Sequence, residues 1–201
     1  MNLPNKITIA RVCMIPLFMV VLMCGAYFGW ANYHIWAAVI FAVASLTDGI
    51  DGLCGSVTIP VMVFFTAAAV TMKKWDLALL PAAMVGGLVA YLFYNWHPAK
   101  VFMGDTGSLF LGGIVCGMAF ALDMPLVLVL VGFVYIVETL SVILQVGYFK
   151  LTHGKRIFKM APIHHHFEMC GWKEVKIVLV FTAVTAALCV VAWFGVKGHI
   201  G

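Results

Sequence analysis

Three short stretches hold most of the side chains able to do chemistry. Thr47-Asp48-Gly49-Ile50-Asp51-Gly52 sets two carboxylates three residues apart. At a helix end, positions i and i+3 share a face, and hard oxygen ligands of this kind suit Mg²⁺ and, through it, phosphate. The competing reading is a polar turn between two apolar runs, although carboxylates bordering such runs are expensive. The stretch from His97 to Ser108 supplies Lys100, which can neutralise a phosphate, and Asp105, which can hold a metal or accept a proton. Gly104 and Gly107 flank that carboxylate. Ser108 can cap the helix that follows, and a helix N-terminus favours anions. Phe102 can stack on a base or simply pack. The third stretch, Pro162-Ile163-His164-His165-His166-Phe167, carries three consecutive imidazoles. Consecutive side chains do not converge easily, so a three-histidine zinc site is not expected. Imidazoles can instead bond phosphate oxygens or move protons near neutral pH. Lys155, Arg156 and Lys159 add a positive field nearby. Glu138, inside an apolar run, reads equally well as a functional carboxylate or as a polar contact between helices, and stays outside the candidate catalytic set.

These residues sit in a chain built mostly for lipid. Of its 201 residues 64% are hydrophobic and only 10% charged, with a mean hydropathy of +1.08. Soluble domains carry about 25% charged residues, so too few charges remain to coat a globule. A membrane helix needs roughly 20 apolar residues; no soluble domain or long linker fits beside the spans. The expected fold is an all-α, polytopic transmembrane bundle of about seven helices. The candidates are 7–30, 33–46, 56–72, 77–94, 108–122, 125–149 and 175–196, the second and fifth being short for a full span. Lys6 and Arg11 precede an apolar run with no clear cleavage site, which reads as a retained first helix and not a signal peptide. Six scattered cysteines have no zinc-ligand spacing and read as free thiols packed like small apolar residues.

Lysine and arginine set the orientation. With the N-terminus inside and the C-terminus outside, nine basic residues face the cytoplasm and three (Lys73, Lys74 and Lys197) face out. The same assignment puts residues 47–52, 95–108 and 150–176 on the cytoplasmic side. The net charge of +4 then reads as topology and contact with anionic lipid, not as nucleic-acid binding. Carboxylates imply a metal, cations imply phosphate, and a membrane face implies a lipid-linked substrate. Residue chemistry alone therefore points to metal-assisted transfer of a phosphate-bearing group onto or from a lipid. A channel or transporter fits less well, because the polar groups gather on one face.

The words TDGIDGL, NWHPAKVFMGDTGSLFLGG, VETLSVILQVGYFK and RIFKMAPIHHHFEMCGW closely resemble those of phospho-N-acetylmuramoyl-pentapeptide transferases, over residues 47–201. The resemblance implies transfer of phospho-MurNAc-pentapeptide from UDP-MurNAc-pentapeptide to undecaprenyl phosphate. The products would be lipid I and UMP, for peptidoglycan synthesis at the cytoplasmic face of a bacterial plasma membrane. It implies Mg²⁺ as cofactor and Asp105 as its ligand. Asp48, Asp51 and Phe102 would surround the uridine, with Lys100 binding substrate, and His164, His165 and His166 would line the phosphate and sugar side. A homodimer is left open.

Two departures qualify that implication. The family carries an adjacent aspartate pair in an early cytoplasmic loop, and this sequence has no Asp-Asp pair; Ala42 and Ser45 stand where asparagines normally precede the TDGxDG word. Residues 1–52 resemble instead the start of CDP-diacylglycerol–glycerol-3-phosphate phosphatidyltransferases, whose D-x-x-D-G word Asp48 to Gly52 satisfies. That motif should continue with Ala-Arg and two further aspartates, but Leu53-Cys54-Gly55 follows. The expectation is thus an N-terminal membrane segment of one kind joined to the C-terminal part of another, an enzyme-like architecture whose activity is left open. The alternatives are a phosphatidyltransferase of phospholipid synthesis or a non-catalytic membrane remnant that keeps nucleotide or lipid affinity.

Overall fold

The computed structural model describes residues 52–96, 99–101, 103–152 and 155–200, excluding the side chains of residues 105, 106, 109, 199 and 200. The expected helices 7–30 and 33–46 lie outside the described residues. Seven α-helices and no strand occur among the described residues: α1 (Leu53–Thr71), α2 (Trp75–Asn95), α3 (Gly104–Ala121), α4 (Val127–Val131), α5 (Phe133–Leu151), α6 (Ile163–Met169) and α7 (Glu174–Ile200). Four of them, α1, α2, α5 and α7, are long and apolar enough to cross a membrane. The protein is an all-α, multi-pass membrane protein.

Helix α1 is apolar around its whole circumference and is the most enclosed of the four long helices, although Val63 and Val70 remain exposed. It packs most extensively against α2 and then α7, with α3 alongside. The main core joins Val61, Met62, Phe65 and Ala68 of α1 to Val115 and Ala119 of α3, Val131 of α4 and Ala192 of α7. In lipid there is no hydrophobic drive between helices, so association rests on close packing. The alanines at these contacts let backbones approach. Leu79, Leu80 and Phe93 of α2 are exposed, as suits a surface solvated by acyl chains.

All five sequence-expected helices within the described residues occur, with two changes. The run 125–149 divides at Gly132, which closes α4 and opens α5. Backbone bonds bridge the division, Gly132 N–H to Leu128 C=O and Ile136 N–H to Gly132 C=O, so the path deflects without stopping. The segment after Lys150, read as a polar loop, contains α6. Ile163 and Phe167, four residues apart, share one face of that helix, and Phe167 stacks on Trp172 with ring centroids 4.9 Å apart.

Chain alternation puts the start of α1, the end of α2 and the start of α3 at one end of the bundle, hereafter the mouth. The α1–α2 turn and the α3–α4 turn lie at the far end.

Candidate functional site

The mouth is tied together through Asn95, the last residue of α2. Its Oδ1 accepts the Gly52 N–H at 2.8 Å, and its Nδ2 donates to the Val101 carbonyl at 2.7 Å. One buried side chain thus joins the residue after Asp51 to the residue after Lys100. Gly52 has φ +78°, a left-handed backbone that side chains with a Cβ resist; a Cβ here would also stand 3.4 Å from the Asn95 carbonyl. The loop beyond α2 is fastened further by Lys100 N–H to Tyr94 C=O at 2.8 Å. Lys100 itself is exposed. Four residues past Val101 comes Asp105, second in α3. An extended chain of that length spans at most about 14 Å, so the Asp105 backbone stays close to the tie.

A second cluster completes the mouth on the other side of α1. Leu53 and Val57 of α1 pack with Val134 of α5 and with Ile177 and Val178 of α7, and Phe167 of α6 and Trp172 join them. The Thr58 hydroxyl donates to the Cys54 carbonyl at 2.7 Å. It therefore accepts from the Tyr135 hydroxyl, also at 2.7 Å. These contacts set the beginning of α5 level with the beginning of α1. Glu138 consequently sits at the mouth, and α5 continues from it to Leu151, about 20 Å at the helical rise.

The chain then returns along α5 to deliver the histidines. Gln145, seven residues after Glu138 and on the same helical face, holds the returning segment. Its Oε1 accepts the N–H groups of Ile157 (3.1 Å) and Phe158 (2.9 Å), and its Nε2 donates to the Phe158 carbonyl at 3.0 Å. Helix α6 is thereby laid against Glu138, whose Oε2 lies 2.8 Å from His164 Nδ1. His165 Nδ1 pairs with Glu168 on its own helix. His166 Nδ1 accepts the Lys159 N–H at 3.1 Å.

The sequence-expected site residues fare differently. His164, His165 and His166 are brought to the mouth on α6. His164 is buried, and His165 and His166 are half-buried. Lys100 and the backbone of Asp105 are at the same end. Asp48, Asp51, Phe102 and the Asp105 side chain lie outside the described residues. Ser108 does not cap α3: that helix already begins at Gly104, and the Ser108 hydroxyl donates back to the Gly104 carbonyl at 3.2 Å. Gly104, at φ +65°, makes the turn into the helix one turn earlier. Asn95 and Gln145 were not singled out from sequence, although a carboxamide at the end or in the middle of an apolar run is a signal that could have found both. Cys116 and Cys189 are buried and Cys54 half-buried, as expected of thiols packed like small apolar residues, whereas Cys170 is exposed; Cys13 and Cys24 lie outside the described residues.

Residues 5–123 match the model of glycosyl transferase family 4, and the chain belongs to that family. More narrowly, it is similar to phospho-N-acetylmuramoyl-pentapeptide transferases. That of Acetivibrio thermocellus is 51% identical over 173 residues, covering 84% of this chain and 52% of the relative. That of Carboxydothermus hydrogenoformans is 51% identical over 175 residues, covering 84% and 54%. A Clostridium perfringens relative reaches 56% over 149 residues, covering 74% and 47%. The chain spans about half the length of the curated relatives it matches. The family match starts at residue 5 and so runs through the stretch whose words resemble phosphatidyltransferases.

Proposed function

We propose that this chain carries out, or forms part of the site for, transfer of phospho-MurNAc-pentapeptide from UDP-MurNAc-pentapeptide to undecaprenyl phosphate. An oxygen of the lipid phosphate attacks the sugar-linked phosphorus, the bond to UMP breaks, and lipid I and UMP result. The observation that carries the reading is the Gly52–Asn95–Val101 tie. With the Glu138–His164 contact, it supports a common site for polar stretches far apart in sequence. The identities above favour this reading over phosphatidyl transfer. Residues 47–201 are then the C-terminal part of a prenyl-phosphate phosphosugar transferase, with residues 1–52 an N-terminal membrane segment.

Lys100, Lys159, Lys173 and Lys176 lie in the segments that meet at the mouth, and Lys150, Lys155 and Arg156 at the outer end of α5 beyond it, against Lys73, Lys74 and Lys197 toward the far end. That bias supports a cytoplasmic mouth in a bacterial plasma membrane. The same cations favour two phosphorylated substrates that must approach despite their like charge.

No group of three or more His, Cys, Asp or Glu placed to hold a metal occurs among the described residues. The donor chemistry of Asp48, Asp51 and Asp105 nonetheless fits a hard cation, since all three offer only oxygen. Asp105 would hold Mg²⁺, with the other two carboxylates near the uridine. Bound there, Mg²⁺ would offset the charge of the pyrophosphate and of the departing UMP. The chain's own part is positioning: Asn95 fixes where the stretches around Asp51 and Lys100 start, and Gln145 and Glu138 fix α6. Fixed hydrogen-bond donors at a phosphate need no reorganisation during reaction.

The test is UMP release from UDP-MurNAc-pentapeptide in the presence of undecaprenyl phosphate and Mg²⁺, with Asp105→Ala alongside. Turnover lost in Asp105→Ala is expected. Robust turnover indifferent to that change would remove the role given to Asp105. Tight uridine-nucleotide binding with no product from the unaltered chain would favour the non-catalytic remnant, which the missing Asp-Asp pair makes the nearest rival.

A further inference from the structure

Three adjacent imidazoles on one short helix are wired in three different ways. His164 is 1% exposed and its partner Glu138 7%, and Glu138 is the one carboxylate buried among the described residues. Its contact with Nδ1 favours a proton there, which leaves Nε2 as the lone-pair nitrogen in the neutral ring. His164 Nε2 is itself buried and has no hydrogen-bond partner among the described residues. His165 is paired with Glu168 in the same sense, but its side chain remains 24% exposed. Its ring lies against that of His164, with centroids 4.2 Å apart. His166 is wired the other way round. Its Nδ1 accepts a backbone N–H, so the neutral ring carries its proton on Nε2, 3.8 Å from the Cys170 sulfur.

Buried charge is kept only at a cost of several kcal/mol unless it is paired. A carboxylate reaching His164 from another helix, 26 residues away, is therefore an anchor with one specific partner. An enclosed imidazole is poorly placed to meet substrate, whereas the half-open ring resting on it is well placed.

We propose that Glu138 is a positioning residue for His165: it anchors His164, whose ring supports that of His165, while Glu168 turns His165 so that Nε2 is the nitrogen offered to a substrate phosphate. His166 is a strut that locks α6 to the returning chain. The assignment rests on the reading above only in naming the ligand as phosphate; the wiring itself stands apart from turnover. Glu138 acts through His164 and touches no reacting atom.

The wiring is tested by ¹⁵N NMR of the full chain in micelles, with histidine rings labelled. His164 and His165 are expected to show a protonated Nδ1, and His166 an unprotonated one. In Glu138→Ala, the resonances of His165 should move and lose their single-tautomer character, although the hydrogen bond of Glu138 goes to His164 and not to that ring; those of His166 should stay. A His165 spectrum unchanged in Glu138→Ala overturns the proposal. If Glu138→Ala fails to fold, Glu138→Gln, which still accepts the Nδ1–H, decides. It is expected to preserve the His165 tautomer and most activity, and loss of that tautomer in a folded Glu138→Gln would overturn the supporting role. Where turnover is measurable, Glu138→Ala should lower kcat by about 10²-fold with little change in KM. An equal loss through KM alone would contradict a positioning role. Adding UMP to the unaltered chain separates the two claims. A shift of His165 Nε2 supports phosphate as the ligand, whereas no shift with the wiring intact overturns that ligand and leaves the positioning result to the variants.

Discussion

The two ends of the bundle close their chains by different means. At the far end, α1 and α3 finish in the same way. Lys74 N–H returns to Ala69 C=O (2.9 Å) and Lys73 N–H to Val70 C=O (3.0 Å); Met124 N–H returns to Ala119 C=O (2.8 Å) and Asp123 N–H to Phe120 C=O (3.0 Å). Each is a backbone-only closure around a left-handed residue, Lys73 at φ 57° and Asp123 at φ 61°. Side chains add little beyond the exposed Lys74–Asp123 pair at 3.3 Å. At the mouth the closures run through named side chains: Asn95 to Gly52 and Val101, Gln145 to residues 157 and 158, Glu138 to His164. Backbone closure tolerates many sequences, whereas side-chain closure fixes a residue type. The mouth is therefore where substitution should matter, and the far end is where it should be forgiven.

The largest effect is expected at Asn95. Asn95→Ala leaves the Gly52 N–H and the Val101 carbonyl without their partner, each costing about 1–3 kcal/mol. Denaturant unfolding in micelles should show a loss of about 2–4 kcal/mol in total. Asn95→Asp keeps the acceptor but loses the donor, so it should fall between; equality with Asn95→Ala would mean that the Gly52 bond adds nothing. Next comes Gly107, where a Cβ would meet Met103 Cγ at 2.1 Å. Gly107→Ala should cost about 1–3 kcal/mol through overpacking, and the Gly107→Ala/Met103→Ala pair should lose less than the sum of its singles in the same assay.

Gln145→Ala should loosen the returning chain. A smaller loss is expected, about 1–2 kcal/mol, with faster proteolytic cutting near Ile157; an unchanged cutting rate would mean that the segment is held by other contacts. The smallest effect, of opposite sign, is at the far end. Lys73→Gly relieves a left-handed lysine and should raise stability by about 1 kcal/mol. A loss of similar size would break the contrast between the two ends.

Much of the bundle was legible because apolar runs of membrane length leave few alternatives. The expected spans 56–72 and 77–94 became Leu53–Thr71 and Trp75–Asn95. The histidine helix was hidden because its apolar stripe consists of little more than Ile163 and Phe167, too short for a periodic signal. Glu138 was ambiguous for a different reason. Sequence gives its position in a run but not its depth, and depth depends on α5 starting level with Leu53, a matter of packing between distant segments. Asn95 and Gln145 act on backbone atoms elsewhere in the chain, so no local spacing marks them. The carboxamide of Asn95 could have been read as a helix-end group, yet its two partners lie on either side of it in sequence.

The central claim is that polar stretches distant in sequence share one mouth on one membrane face. Sided labelling of single-cysteine variants with a membrane-impermeant maleimide tests this most directly, in vesicles of known orientation and with the native cysteines replaced. Lys100→Cys, Arg156→Cys and Lys173→Cys are predicted to react from the same side, and Lys73→Cys from the opposite side. Reaction of Lys100→Cys and Lys173→Cys from opposite sides would contradict the account.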